Sequence, residues 1–119
     1  MLCPVSAQQK NPDWVNETNN AAWKARDSHG EVVFKGRMWM MGGWYNGRLE
    51  GHSAGNQVWS SKDGREWKQF RSNVCWKERH EHSAFVFRDK IWVAGGMTPP
   101  LVNDVWSLFI PEEWFKGDK

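Results

Sequence analysis

Residues 79–106 read RHEHSAFVFRDKIWVAGGMTPPLVNDVW. This segment contains two short apolar runs, at residues 85–87 and 91–94, and the polar residues 88–90 lie between them. Short runs of β-branched and aromatic residues that are bounded by turn residues are typical of β-strands. The segment therefore predicts an antiparallel hairpin, which ends at a pair of glycines and is followed by a further strand at residues 103–106.

An earlier part of the chain repeats this pattern. Seven residues recur at a constant spacing of 53 positions: Trp23, Arg26, His29, Phe34, Trp39, Gly42 and Gly43 correspond to Trp76, Arg79, His82, Phe87, Trp92, Gly95 and Gly96. Five more recur at a spacing of 47, because one loop is six residues shorter in the second copy: Asn56, Val58, Trp59, Ser60 and Trp67 correspond to Asn103, Val105, Trp106, Ser107 and Trp114. Self-similarity at a fixed spacing is the signature of repeat architectures. We expect two copies of one unit, at residues 23–70 and 71–119.

Each copy is predicted to hold four antiparallel strands. The predicted strands of the first copy are residues 30–34, 37–41 and 57–60 and the segment at Trp67, and those of the second copy are residues 83–87, 90–94 and 104–107 and the segment at Trp114. The chain lacks the 3.6-residue period of a long helix, so the predicted fold class is all-β. Trp14 precedes Trp23 by nine residues, as Trp67 precedes Trp76. Residues 1–22 are therefore predicted to contain the outer strand of a preceding copy.

The order of these features resembles a kelch repeat, which forms one four-stranded blade of a β-propeller. The features are an Arg-x-x-His start, two apolar strands that end at Gly-Gly, an Asn-Asp-Val-Trp segment and a closing Trp, and they cover residues 23–114. The resemblance implies two propeller blades plus a partial strand. Because propellers close with about four to eight blades, it also implies further blades from elsewhere. These would come from copies of the chain, of which three would supply six blades, from a partner protein, or from a longer parent chain.

Charge and composition narrow the class of partner. The net charge is +2 with acidic and basic residues interspersed, so we expect neither nucleic acid nor an anionic membrane as a partner. Residues 1–10 do not resemble a signal peptide, and no apolar run has the length of a membrane span. We expect a soluble protein, cytoplasmic if the chain is complete. The two cysteines, Cys3 and Cys75, are expected to be free thiols.

One tryptophan differs from the other nine. Those nine have an equivalent in another copy, so we expect them to pack within blades, whereas Trp44 has none. It begins the longer loop and lies beside Tyr45, the one tyrosine of the chain. Three polar residues that follow, Asn46, Arg48 and His52, complete this set of candidates for binding. Loops on a rigid scaffold often carry recognition. The loop is predicted to bind a protein or a glycan, unless Trp44 folds back on its own blade.

The strand order predicts a second group of candidate residues beside this loop. In an antiparallel meander, the loop after the second strand lies on the same face as the segment that enters the first strand. In a kelch-like blade the first strand lines the central channel. The resemblance therefore implies that one mouth of the channel is surrounded by Arg26, His29, Arg79 and His82, with Glu81 between the last two. They would form a polar pocket for an anionic or hydroxylated ligand, or they would bond to neighbouring carbonyl groups and hold adjacent blades together.

Catalytic and metal-binding patterns are weak. His80 and His82 would lie on one face of a strand, but no third ligand is evident, so neither a metal nor another cofactor is predicted. Copper-radical oxidases of the galactose oxidase type, which are also kelch-like, use two tyrosines, and this chain has one. The predicted function is a non-catalytic binding module. The alternative is a subunit or fragment of a carbohydrate-active enzyme, such as a sugar oxidase, an epimerase or a sialidase-like propeller, in which Asp27 or Glu81 acts as an acid–base group.

Overall fold

The computed structural model of the chain describes residues 11–45 and 54–118. In this part of the chain, strands form two antiparallel sheets, and the predicted all-β class is confirmed. The first sheet consists, in spatial order, of β1 (Gly30–Phe34), β2 (Arg37–Met41), β3 (Val58–Ser61) and β4 (Lys68–Phe70). The second consists of β5 (Ser83–Phe87), β6 (Lys90–Met97) and β7 (Leu101–Leu108), and a short 3₁₀-helix, Glu112–Phe115, follows it. None of the described residues form a helix that is long and apolar enough to span a bilayer.

The predicted hairpin occurs in both copies with the same geometry. Lys35 and Gly36 have φ values of 52° and 73°, and Arg88 and Asp89 have 51° and 61°. Two successive residues with positive φ form the type I′ turn, whose twist matches that of the strands it joins. Each hairpin is also bridged by its tryptophan: the indole Nε1 of Trp39 donates to the carbonyl oxygen of Phe34 at 2.9 Å, and Trp92 donates likewise to Phe87 at 2.7 Å. The recurrence of these two tryptophans therefore reflects packing and turn geometry.

The prediction of a fourth strand in the second copy is wrong. The segment around Trp114 forms the 3₁₀-helix, which begins after Pro111. Proline has no N–H group with which to continue a ladder, and its φ of −64° suits a helix entry. The Trp114 ring packs against the first sheet, with its centroid 5.5 Å from that of Trp39 and 5.4 Å from that of Phe70. Trp114 thus does not occupy the place that Trp67 has in the first copy.

The strand predicted at Trp14 does not form either. Residues 12–18 have no regular structure, and Trp14 is 97% exposed. A β-strand is stable only when a neighbouring strand satisfies its backbone groups, and none of the described residues pair with this segment. Trp23, farther along the same segment, packs edge-on against Trp67 at 5.6 Å.

The two sheets share one hydrophobic core. It consists of buried residues from one face of the first sheet, from one face of the second and from the segments that flank the second: Phe34, Trp39, Met41, Val58, Ile91, Val93, Trp76 and Ile110. Strand β1 lies against β5, so the entry strands of the two copies are neighbours. The C-terminal segment covers one end of this core, where Asp118 Oδ1 accepts a hydrogen bond from Arg37 Nη1 at 2.6 Å. The backbone at the opposite end positions the candidate site.

Candidate functional site

The backbone around Trp44 is held by two neighbouring segments. Asp27 and Trp44 exchange two backbone hydrogen bonds, with N···O distances of 2.9 and 2.8 Å, and Trp44 also forms a bridge with Ala54. The N–H of Gly55 donates to the carbonyl oxygen of Gly43 at 2.9 Å. The described residues at the start and end of the longer loop are therefore joined to each other and to the segment that enters β1.

The segment that enters β5 joins the same face. Arg79 donates its backbone N–H to the oxygen of Gly55 at 3.1 Å and accepts from Gly43 at 3.0 Å. One residue on, His80 exchanges two hydrogen bonds with Met97, and the N–H of Glu81 donates to Ser28 at 2.9 Å. These contacts bring together the segments that the meander placed on one face. The result is a backbone platform that spans both sheets.

Trp44 lies on this platform with its side chain 43% exposed. Its ring meets the His80 ring edge-on, with the centroids 5.0 Å apart. Nδ1 of His80 lies 3.4 Å from a carboxylate oxygen of Glu81, which is exposed. Tyr45 is half-buried, with the Arg26 guanidinium 5.2 Å from its ring centroid. The other loop candidates, Asn46, Arg48 and His52, lie outside the described residues.

Arg79 is buried and fully engaged in structural contacts. Only 1% of it is exposed. Its guanidinium donates to both carboxylate oxygens of Asp104, at 2.7 and 2.9 Å, and to the carbonyl oxygens of Gly95 and Lys77. The hydrogen bonds from Arg79, and then that from Trp106, hold the pKa of Asp104 well below its usual value. Arg79 therefore joins the segment that enters β5 to strands β6 and β7 instead of facing a ligand.

Arg26 makes the equivalent contacts in the first copy. It donates to the carbonyl oxygens of Lys24 and Gly42 and to Oε1 of Gln57, the last at 2.9 Å. Gln57 stands at the position of Asp104, and it also accepts from the indole of Trp59, as Asp104 does from Trp106. Of the two roles predicted for the arginines, these contacts favour the structural one. The sequence comparison missed Gln57 and Asp104 because it searched for identical residues, whereas these two share only the ability to accept a hydrogen bond.

His82 lies between the sheets. Its Nε2 is 3.1 Å from the carbonyl oxygen of Met41, and its ring packs against Trp76 with the centroids 5.7 Å apart. Burial, which outweighs the hydrogen bond to Met41, lowers the pKa of His82, so the ring is neutral at pH 7 and donates from Nε2. His29, its equivalent, is half-buried, and its ring lies 6.3 Å from Trp23. Both rings have an Nδ1 without a partner among the described residues.

The predicted pair of imidazoles on one strand face does not form. Glu81 has a φ of 57°, as does Ser28 at the equivalent position, and this turn directs His80 and His82 to different surroundings. One ring lies beside Trp44 and the other lies between the sheets. Within residues 11–45 and 54–118, no three His, Cys, Asp or Glu side chains lie close enough together to hold a metal ion. Cys75 is exposed, and Cys3 lies outside the described residues.

The structure thus divides the predicted candidates into two groups. Arg26, Arg79 and His82 stabilise the platform, whereas Trp44 and Glu81 present side chains to solvent on it. His80 lies between Trp44 and Glu81 with its side chain only 15% exposed, and sequence reasoning considered it as a metal ligand. An exposed indole beside an imidazole and a carboxylate can contact the face of a ring and hydrogen-bond to hydroxyl or amide groups. Searches of protein-family models and of curated proteins found no match to this chain.

Proposed function

We propose that this chain is a binding module made of two kelch-like propeller blades, which recognises a glycan or a protein through the face that carries Trp44. The observation that supports this most directly is that the Trp44 side chain is exposed although its backbone is held on both sides. Its backbone is bonded on both sides, yet 43% of its side chain is exposed, and no tryptophan occupies the equivalent position in the second copy.

Packing does not account for this residue. Trp39 and Trp92 recur in the two copies and each donates to a carbonyl oxygen of its own hairpin, whereas Trp44 has no equivalent in the second copy. A large aromatic side chain left in water on a rigid backbone loses apolar burial that a partner can restore. Tryptophan is also the residue that most often dominates binding energy at interfaces. The fixed backbone lowers the entropy lost when a ligand binds.

The polar groups around Trp44 determine which ligands suit the site. Glu81 and Asp27 carry exposed carboxylates, and His80 lies between Trp44 and Glu81. Carboxylates accept hydrogen bonds from sugar hydroxyls or from peptide N–H groups, while an indole packs on the apolar face of a sugar ring or on an aromatic side chain. The site therefore consists of Trp44, Tyr45, His80 and Glu81, with Asp27 at its edge.

A subunit of a carbohydrate-active enzyme is the second candidate. The contact that favours it is the 3.4 Å separation between His80 and Glu81, because an exposed carboxylate beside an imidazole can transfer protons to a bound sugar. In that case Glu81→Gln would abolish turnover of a sugar, whereas Trp44→Ala would mainly raise KM.

Binding of the purified chain to an array of glycans and to an array of purified proteins tests the proposal. Trp14→Ala is the matched control, since it removes an indole that is almost fully exposed and lies outside the platform. We expect Trp44→Ala to weaken binding by about 30-fold, the loss typical of a central tryptophan, and Trp14→Ala to leave it unchanged. Equal binding by both variants and the wild type would refute the proposal, and the array that responds distinguishes the glycan from the protein.

A further inference from the structure

The second sheet has one face that the described residues leave open. Strand pairing places Phe85 opposite Trp92, and Ala94 opposite Val105, on the same side. The Phe85 and Trp92 rings are stacked with an interplanar angle of 3°, and Val105 is 59% exposed. Phe87 lies on this side too and is also exposed. We call Phe85, Phe87, Trp92 and Val105 the open second-sheet face.

The equivalent face of the first sheet is covered. Its residues at the same repeat positions are Val32, Phe34, Trp39 and Val58. They pack in the inter-sheet core against the opposite side of the second sheet, which contributes Ile91, Val93, Trp106 and Leu108. Val58, the counterpart of Val105, is only 7% exposed. The contact between the two sheets therefore shows what covers a face of this composition.

The same chain carries a second copy of the covering side. Val33, Met38 and Trp59 stand at the repeat positions of Val86, Ile91 and Trp106, and they lie on the side of the first sheet that faces away from the core. We call these three the open first-sheet face. Val33 is 75% exposed and Met38 is 39% exposed, whereas Ile91 in the inter-sheet core is 2% exposed. Met40, which stands at the repeat position of Val93 on the same side, is already buried at 3%, so the part of this side that is open lies around Val33 and Met38.

We propose that a second copy of this chain covers the open second-sheet face with its own open first-sheet face. The contact repeats between chains the contact that already exists within one chain. It joins two different surfaces, so it is heterologous and leads to a closed ring if the rotation per chain allows closure. With two blades per chain and about four to eight blades per propeller, the ring holds about two to four chains. The inference rests on the blade arrangement proposed above but not on the ligand of the Trp44 face.

A polar contact accompanies the apolar one. Within the chain, Nε2 of His82 lies 3.1 Å from the carbonyl oxygen of Met41 across the inter-sheet core. The equivalents of these two residues are His29 and Ala94. In the assembly, His29 of one copy faces the Ala94 carbonyl of the next, and Nε2 donates the same hydrogen bond.

The contact within the chain and the proposed contact between chains differ near Gly30 and its equivalent, Ser83. A Cβ atom at Gly30 would lie 2.7 Å from that of Ala84, so the internal contact requires glycine there. The equivalent positions hold Ser83 and Glu31. A hydroxyl and a carboxylate replace a close apolar approach, and they form a hydrogen bond when the sheets are slightly farther apart.

Sedimentation velocity and light scattering at micromolar concentration test the assembly with three valine or methionine substitutions. Val105→Asp and Met38→Asp each place a carboxylate in one open face, and each should raise the dissociation constant at least about 100-fold, because an unpaired charge is costly to bury. Val86→Asp is the matched control. Val86 is on the same strand as Phe85 but on the side that faces the core, and it stays exposed at the edge of the internal contact. Circular dichroism establishes that each variant is folded.

Mixing the two disruptive variants distinguishes a head-to-tail contact from a symmetric one. The Val105→Asp chain keeps its first-sheet face and the Met38→Asp chain keeps its second-sheet face, so together they should form one 1:1 complex with twice the 13.9 kDa mass of a chain. A wild-type chain that stays monomeric at all concentrations would overturn the proposal. A dimer that Met38→Asp leaves intact, or two variants that do not combine, would overturn it equally. Ligand binding by a monomer would leave the function proposed for Trp44 standing.

Discussion

The close packing between the two sheets can be tested by the effect of three glycine substitutions on the unfolding free energy. Gly36, Gly42 and Gly95 all have positive φ, at 73°, 67° and 67°. A Cβ atom at Gly42 would lie 2.6 Å from Cε1 of His82 and 3.0 Å from the carbonyl oxygen of Arg79. At the equivalent Gly95 the nearest atom is the Val102 carbonyl oxygen at 3.4 Å, and at Gly36 no atom lies within 4 Å. The three positions share the backbone conformation and differ in what the new methyl group meets.

The expected losses follow from these distances. Alanine in the left-handed region costs about 1–2 kcal/mol, and all three variants incur it. Overpacking of a closed interior costs about 1–3 kcal/mol more, and only Gly42→Ala incurs that, because the imidazole is buried between the sheets and has little room to move. We therefore expect Gly36→Ala and Gly95→Ala to lower the unfolding free energy by about 1 kcal/mol, and Gly42→Ala by about 3 kcal/mol.

Equilibrium unfolding in urea, monitored by tryptophan fluorescence, measures the decrease in unfolding free energy for each of the three variants. The measurements are made in a Val105→Asp background, so that assembly does not contribute to stability. If Gly42→Ala is no more destabilising than Gly95→Ala, then His82 does not pack against Gly42 as the structure describes. Without the Val105→Asp substitution, Gly95→Ala should also weaken assembly, since Gly95 would then face His29 of the next copy as Gly42 faces His82.

Two further predictions concern His82 and Trp114. Because burial lowers the pKa of His82, the imidazole is protonated at a higher pH in the unfolded chain than in the folded chain. The contribution of His82 to the unfolding free energy is therefore complete above about pH 6.5 and falls as the pH drops below that value. His82→Gln should flatten that part of the curve in urea unfolding across pH 5 to 8, and an unchanged slope would contradict the neutral, buried ring. Trp114→Ala should lower the unfolding free energy by about 2 kcal/mol, because the ring packs on Trp39 and Phe70, whereas Phe109→Ala, at an exposed position, should change it by less than about 0.5 kcal/mol. Similar losses from the two alanine variants would show that the 3₁₀-helix is not docked on the first sheet.

The sequence predicted most of the sheet structure because the repeat supplied its own comparison. Hairpins, their turns and the glycine ends are local features, and each is visible twice at one spacing. The segments at Trp14 and Trp114 were assigned as strands by equivalence alone. A strand also needs a partner, and neither segment has one among the described residues, so one lacks regular structure and the other packs as a 3₁₀-helix.

The sequence predicted where the candidate site lies but not which residues form it. Strand order placed the loop beside Arg26 and Arg79, since a meander returns alternate connections to one face. Whether each side chain faces solvent depends on acceptors far away in the sequence. Asp104 is 25 residues from Arg79 and Gln57 is 31 residues from Arg26, and those acceptors turn both arginines inward. The contact between Trp44 and His80 crosses from one copy to the other, so no pattern within a single copy could reveal it.

A site on a repeated scaffold must lie where the repeat changes its side chains. The backbone bridges Asp27↔Trp44 and His80↔Met97 are equivalent, so the backbone at these positions is paired in the same way in both copies while the side chains on it differ. Trp44 meets His80 of the following copy, and the equivalent junction between chains in the proposed ring would bring Met97 to Asp27 of the next chain. That pair of residues has neither an indole nor an imidazole. In the proposed ring, ligand sites and assembly junctions would then alternate, and the proposed function would give one ligand bound per chain rather than one per blade.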